Sequence, residues 1–435
     1  MAMSNVEQHF CECCSTFSSQ SLPVQRWVIA LSGGVDSVVL LHLAARFLPA
    51  GSVRAIHVNH HLQLPSDRWA AFCLASCARL SIPCDVLDVY PKTGSEASAR
   101  KARLQAIQGS VSVGDVVLMG HHANDQAETI LFRLARGTGA KGLTGIPPSR
   151  ALGNAEILRP LLGVVRSDLL RYAEVHDMEW IEDPSNARDD YDRNYLRHHV
   201  IPPLVERWPS AINQITQATV YLRDQQQVLE GYLDADLRDM ALPGGGFCIT
   251  ELTTAASSKH IALLRRWFEC CTGQVLPAKA VDQLLNQCIE AKADAQPVLY
   301  VGEYVIRRYR QGLYCMSSNS NDTSHNGQSQ LLTAPFTFWQ AGAVELEACD
   351  EGFAYIEGVK VVSRAEGMSI KPYGRPTKTL KKLFQEAGVP PWLRPSWPVC
   401  IYENEVVAVP GLCVAESWWI KSGEKPAFAL TWRAF

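Results

Sequence analysis

Ser32-Gly33-Gly34-Val35-Asp36-Ser37 follows the apolar run Trp27-Val28-Ile29-Ala30-Leu31 and opens a helical stretch beginning near Val38. A strand, a glycine turn and a helix in that order bring backbone N–H groups and a helix N-terminus to one point, which suits an anion. The two glycines admit backbone conformations closed to other residues. Ser32 and Ser37 offer hydroxyls to phosphate oxygens, and Asp36 offers a carboxylate suited to magnesium. The Gly-Lys-Ser/Thr ending of a Walker loop occurs nowhere in the 435 residues, which excludes an ordinary P-loop NTPase.

Outward from the loop, short apolar runs alternate with helical stretches between about Val24 and Leu134. Residues 27–31, 53–58, 86–89 and 116–119 read as strands, and 37–47, 67–80, 95–108 and 124–136 as helices. That alternation predicts βαβ units and an α/β, doubly wound, Rossmann-like parallel sheet with its ligand at the strand carboxyl ends. From Pro203 to Leu242, then over 258–272 and 278–292, the pattern is helical, and 300–310 with 313–316 reads as a hairpin. The expected division is an N-terminal extension (1–22), a catalytic domain (23–215), a mainly helical second domain (216–316), a small polar linker (317–334) and a small α+β C-terminal domain (335–435).

Composition sets outer limits on these expectations. Hydrophobic residues at 47% and charged residues at 20% supply ordinary globular cores. No apolar run has the roughly 18 residues of a membrane span, and the start lacks a secretory pattern, so cytoplasm and no membrane partner are expected. The fourteen cysteines follow no disulfide-framework spacing, which points to reduced thiols. Cys11, Cys13 and Cys14 have no second ligand pair at metal-site spacing and read as part of a mobile extension. A net charge of −3 excludes a globally basic nucleic-acid coat, yet residues 358–400 carry eight basic and two acidic side chains, a local +6 that suits an RNA backbone. Lys378, Lys381 and Lys382 lie at its centre, while Trp392 and Trp397 in the same stretch read as packing residues.

Further motifs fall where the sheet rule puts chemistry. His57-Val58-Asn59-His60-His61-Leu62 ends the second strand, above the nucleotide side. Thr93-Gly94-Ser95-Glu96 has capping-box spacing, and the helix after it aligns Arg100 and Arg103 with Glu96 and Ile107 on one face, two guanidiniums for phosphate. His121-His122-Ala123-Asn124-Asp125-Gln126-Ala127-Glu128-Thr129 follows the fourth strand. Ala127, Ile130, Leu131 and Leu134 form its packing stripe, leaving Asp125, Glu128, Thr129 and Arg136 on other faces. A basic glycine turn begins at Arg136, and Arg193 and Arg197 are helical neighbours farther on.

Taken in order, Ser-Gly-Gly-x-Asp-Ser, His-Val-Asn-His, Glu-Ala-x-Ala-Arg, His-His-x-x-Asp-Gln-x-Glu-Thr, Arg-Gly-x-Gly, Arg-Pro-Leu-Leu, Glu-Asp-x-Ser-Asn and Arg-Asn-x-x-Arg resemble the tRNA(Ile)-lysidine synthetase family. That family lies within the PP-loop, or N-type, ATP pyrophosphatase superfamily. The resemblance runs from about residue 28 to 200 and resumes at Lys378-Thr379-Leu380-Lys381-Lys382-Leu383-Phe384. Asn124 departs from it, since the family often has two adjacent acids there, so any acidic role rests on Asp125.

The resemblance implies a ligase that uses ATP and magnesium to join free L-lysine to the wobble cytidine of a CAU-anticodon isoleucine tRNA, shifting its codon from AUG to AUA. ATP would bind Ser32, Gly33, Gly34, Val35, Asp36, Ser37 and His57, with magnesium on Asp36. Asp36, Asp125 and Glu128 are the implied catalytic residues. Arg100, Arg103, Arg136, Arg193, Arg197, Lys378, Lys381 and Lys382 would hold tRNA or phosphate. The nucleophile is then a substrate amine, so no Ser or Cys nucleophile is required. A PP-loop tRNA thiolation enzyme is the alternative enzyme, though the one Cys-x-x-Cys spacing, Cys11 to Cys14, lies in the N-terminal extension, apart from the site motifs. A non-catalytic tRNA-binding protein is the alternative of another class, and the intact Ser32, Asp36 and Ser37 oppose it. The residues leave the oligomeric state open, a homodimer included.

Overall fold

The computed structural model describes residues 3–20, 23–63, 65–90, 96–184, 192–242, 245–250, 252, 258–289, 295, 297–318, 329–339, 342–421 and 426–434. The chain forms two compact units, Met1–Val228 and Leu229–Phe435. The division between the units falls within the helix Ala211–Asp239.

In the first unit, helix α1 (Asn5–Gln20) is followed by β1 (Arg26–Ala30), α2 (Val35–Phe47), β2 (Val53–Asn59), α3 (Ser66–Arg79), β3 (Cys84–Asp88), α4 (Glu96–Ser110), β4 (Asp115–Leu118) and α5 (Ala123–Ala135). Next come α6 (Ala140–Leu143), the hairpin β5 (Ser149–Leu152) and β6 (Ala155–Leu158), α7 (Arg166–Val175), α8 (Asp192–Tyr195), a π-helical turn Leu196–Val200, α9 (Ile201–Arg207) and α10 (Ala211–Asp239). The strands order β3-β2-β1-β4-β6-β5, and every neighbouring pair is parallel except β5 with β6.

Successive residues of β1 show why this sheet needs helices on both faces. Ile29 packs with Phe10, Leu40, Cys73 and Leu169 on the side of α1, α2, α3 and α7. Its neighbour Val28 packs with Ile56, Ile107 and Val117 on the side of α4. Strands buried on both faces read as continuous apolar runs, which is how β1, β2 and β4 were visible in the sequence. The β5–β6 hairpin was not foreseen.

The reading of residues 1–22 as a mobile extension is corrected by α1. Val6, Phe10, Cys14 and Phe17 recur at helical spacing, and all four are buried in the core beside α2 and α7. The thiol of Cys14 is thereby spent on packing, and burial pushes its pKa up. Among the described residues no group of three or more His, Cys, Asp or Glu could hold a metal ion.

In the second unit, helices Ser258–Thr272 and Ala278–Gln283 pack on a five-stranded antiparallel sheet. The expected 300–310 run is two of its strands, Val298–Val301 and Tyr304–Tyr309, turning at Gly302. Two further five-stranded sheets and the short helix Leu380–Glu386 form the C-terminal part. Trp397 is 1% exposed there, a core residue as expected. Trp392 packs edge-on against Tyr309 and Tyr314, which ties that part to the preceding sheet.

Phe10→Ala is expected to destabilise the first unit by about 3–5 kcal/mol, read as a lower urea midpoint. An α1 that merely rested on the surface would leave the midpoint unchanged.

Candidate active site

The loop after β1 is shaped from inside by Ser37. Its Oγ accepts the N–H groups of Ser32 (3.2 Å) and Gly33 (3.1 Å) and donates to the carbonyl of Gly34 (2.9 Å). Ser37 is 5% exposed and its hydroxyl holds the turn, whereas Ser32 is exposed and its hydroxyl donates to Ser37 Oγ (3.1 Å). Gly33 has φ +88°, and a Cβ there would lie 2.6 Å from Ile181 Cδ1. Ile181 also donates its N–H to the Gly33 carbonyl (2.9 Å). No side chain caps the start of α2, which leaves terminal N–H groups for an anion.

Strand order reverses between β1 and β4, and the loop stands at that crevice. Gly120, just past β4, approaches α2 so closely that a Cβ would be 3.0 Å from the Asp36 carbonyl oxygen and 3.3 Å from the Ser37 nitrogen. Sequence reading passed over Gly120, although a glycine at a strand end signals such an approach.

His121 and His122 follow at once. His122 is 2% exposed and caps α5: its N–H donates to Asp125 Oδ2 (2.9 Å), and its Nδ1 faces the Asp125 N–H (3.4 Å). Its Nε2 lies 3.6 Å from Asp36 Oδ2. One imidazole thus links the phosphate loop to the acids of α5. Burial opposes a charge on His122, but Asp125 and then Asp36 carry its pKa above the ordinary value.

The two acids differ. Burial would raise Asp125, but His122, His121, the His122 N–H and Arg197 together hold it below the usual carboxylate range. Glu128 is 2% exposed and pushed up by burial, while Arg197 pulls it back. Arg197 grips Glu128 with two hydrogen bonds, Nε to Oε1 (2.7 Å) and Nη2 to Oε2 (3.0 Å), and its Nη2 lies 3.8 Å from Asp125 Oδ1. The geometry brings Asp36, His122, Asp125, Glu128 and Arg197 into one chain of contacts, with Asp125 the more open acid of the pair.

Three family models match the chain: a PP-loop domain over residues 4–204, a TilS substrate binding domain over 247–314 and a TilS substrate C-terminal domain over 359–432. A tRNA(Ile)-lysidine synthase from Alkalilimnicola ehrlichii is 36% identical over 419 residues, covering 92% of this chain and 93% of its own. The chain belongs to the tRNA(Ile)-lysidine synthase family. The synthase of that name from Pectobacterium atrosepticum is 32% identical over 441 residues, covering 97% and 98%, and that from Vibrio vulnificus is 35% identical over 403 residues, covering 89% and 92%.

Against the acid pair of the lysidine synthase pattern, Asn124 has a structural task here. Its Oδ1 accepts the N–H of Arg166 (3.0 Å) and so pins the start of α7. His57 is 5% exposed, with Nδ1 2.9 Å from the Leu31 carbonyl, to which it donates. Burial lowers its pKa, so the ring is neutral and Nε2 is left as an acceptor. Arg100 and Arg103 are partly buried, near His121 and His60.

The residues expected to hold RNA are not alike in the structure. Arg197 is engaged by the Glu128 carboxylate through two hydrogen bonds while its side chain stays 33% exposed. Arg193 is partly buried, and Arg136 is exposed with its guanidinium 5.0 Å from the Phe132 ring. Lys381 and Lys382 are exposed on the C-terminal helix, and Lys378 pairs with Glu386. Thr93, Gly94, Ser95, Ser185 and Asn186 lie outside the described residues.

Gly120→Ala is expected to cost about 1–3 kcal/mol of stability. Gly109→Ala, where an added Cβ meets nothing within 4 Å, should instead gain about 0.5–1 kcal/mol. Equal urea midpoints for the two variants would contradict the close approach.

A second expectation concerns acid. Burial pushes His121 from 6.5 down to about 3, so the unfolded chain takes up that proton first as pH falls. Its contribution to stability is complete above pH 6.5 and is lost on the way down toward 3, at up to roughly 1.4 kcal/mol per pH unit. Urea midpoints between pH 7.5 and 5 should therefore fall less steeply in His121→Asn than in the parent. An unchanged slope would count against a buried neutral ring.

Proposed function

We propose that this lysidine synthase family member joins L-lysine to the wobble cytidine of a CAU-anticodon isoleucine tRNA in two steps, releasing pyrophosphate and then AMP. The observation that carries the mechanism is the His122 link between Asp36 on the phosphate loop and Asp125 on α5. It puts an anion cradle and an ammonium-binding acid at adjacent strand ends.

In the first step the carbon-2 oxygen of cytidine attacks the α-phosphorus of ATP, and the bond to pyrophosphate breaks. The N–H groups at the start of α2 and the hydroxyl of Ser32 receive the leaving charge. In the second step the lysine ε-amine attacks carbon-2 and AMP departs with the electron pair of the carbon–oxygen bond. Asp125, kept ionised by its cationic neighbours, holds the ε-ammonium and accepts its proton as the amine attacks. Glu128 holds Arg197 in place beside it.

Magnesium fits this loop. Asp36 Oδ1 is shut from solvent with no hydrogen-bond partner, a vacant acceptor beside the expected phosphates. Bound there, the ion would neutralise phosphate charge. Exposed Lys381 and Lys382, with Arg136, supply cations for the tRNA backbone, so binding should weaken with salt. A tRNA substrate in turn suits a cytoplasmic enzyme.

The thiolation reading has little support. Cys73 Sγ, 3.3 Å from where a Gly33 Cβ would stand, is a fully buried thiol pushed up to about 12. Such a group is not a nucleophile at neutral pH.

With ATP and labelled lysine, label should enter isoleucine tRNA and not methionine tRNA, with AMP formed in step. Asp36→Asn should lower AMP formation by roughly 10²–10³-fold. Formation of ADP in place of AMP would overturn the reading.

A further inference from the structure

Just past the end of β2, beyond Asn59, the chain fixes an imidazole at the surface. His61 stands at φ +51°, a left-handed conformation that a side chain of this size keeps only where its surroundings impose it. Its N–H donates to Asn59 Oδ1 (3.1 Å), and Asn59, itself buried, donates from Nδ2 to Asp67 Oδ1 (2.9 Å). The ring donates from Nε2 to Asp88 Oδ1 (2.8 Å), and its Nδ1 lies 3.6 Å from Asp67 Oδ1. His61 is thus held both at its backbone and along the edge of its ring.

Tyr90, two residues past the end of β3, lies flat on that ring, with centroids 5.0 Å apart and planes 10° from parallel. Among the described residues it is the most exposed of the large apolar side chains, at 78%. One face of the phenol is seated on His61 and the other is open, at the strand carboxyl ends where ligands of such sheets bind. A tyrosine loose at a surface must be ordered by whatever binds it. One already laid on a pinned imidazole spares a ligand much of that cost. We infer that Tyr90, seated on His61, is a stacking platform for an unpaired base of the RNA substrate, outside the ATP cradle.

Three features favour an RNA base over the adenine of ATP. The phosphate loop follows β1, whereas Tyr90 follows β3, and β2 lies between those strands. Asp67 and Asp88 flank His61, and their carboxylates repel a polyphosphate beside the ring. The platform also has a single open face. A base within a strand is already stacked on its neighbour and needs one further partner, whereas the base of a free nucleotide would keep its other face in water.

This inference rests on the tRNA substrate of the ligation reading, and the test reads binding apart from chemistry. The Kd of the full-length protein for isoleucine tRNA is measured by filter binding, without ATP or lysine, at several salt concentrations. Tyr90→Ala should raise it by roughly 5–150-fold, the loss of one stacked base. The slope of log Kd against log salt should not change, because a phenol neutralises no phosphate. Tyr90→Phe should stay within about 3-fold of the parent, whereas Tyr90→Leu, apolar but without a π face, should lose as much as Tyr90→Ala. His61→Ala, which leaves Tyr90 unseated, should give a smaller loss of the same kind. In lysine attachment, the KM for ATP should be the same in all of these variants. An unchanged Kd in Tyr90→Ala, full affinity in Tyr90→Leu, or a raised KM for ATP alone would overturn the platform, the last by assigning the ring to adenine. A parent protein that binds the tRNA yet forms no AMP and attaches no lysine would instead overturn the ligation reading and leave the stacking result standing.

Discussion

The end of β4 and the start of α2 meet backbone to backbone, and the site exists because Gly120 puts no side chain between them. A methyl group there would press on the Asp36 carbonyl and move the residue that joins the phosphate loop to the rest of the chemistry. From that contact the other distances follow. His122 stands two residues past Gly120, which sets its ring within reach of Asp36, and the same ring begins α5 and so orients Asp125 and Glu128. The sheet supplies the frame, and one missing Cβ sets the clearance.

Within this frame, charge is arranged for orientation more than for stability. Glu128 and His122 are each 2% exposed. Taking such groups from water costs several kcal/mol each, which pairing offsets only with good geometry. The fork of Arg197 on Glu128 has that geometry. The two acids, one turn apart on a helix, diverge in proton affinity: burial raises Glu128 against the pull of Arg197, while His122 leads the groups that depress Asp125.

Much of the first unit was legible because parallel strands covered on both faces must be apolar throughout, as Val28 and Ile29 illustrate. The loop was legible because a glycine-rich turn between strand and helix has few other uses. Helix α1 was missed although Val6, Phe10, Cys14 and Phe17 carry its period, since neighbouring cysteines and serines dilute the apolar face. The β5–β6 hairpin escaped because Ser149-Arg150-Ala151-Leu152 is short and half polar. The pairing of Arg197 had no local signal: its partner Glu128 lies 69 residues away, and only the folded sheet brings them together.

The contact between Gly33 and Ile181 joins positions about 150 residues apart. Contacts of such separation close late, after the intervening chain has been ordered. While the chain is still emerging from the ribosome, its first eighty or so residues can hold every glycine and serine of the loop, yet the clamp that fixes their shape has not been synthesised. A fragment ending before Ile181 would therefore carry Ser32–Ser37 without the contact that packs against Gly33.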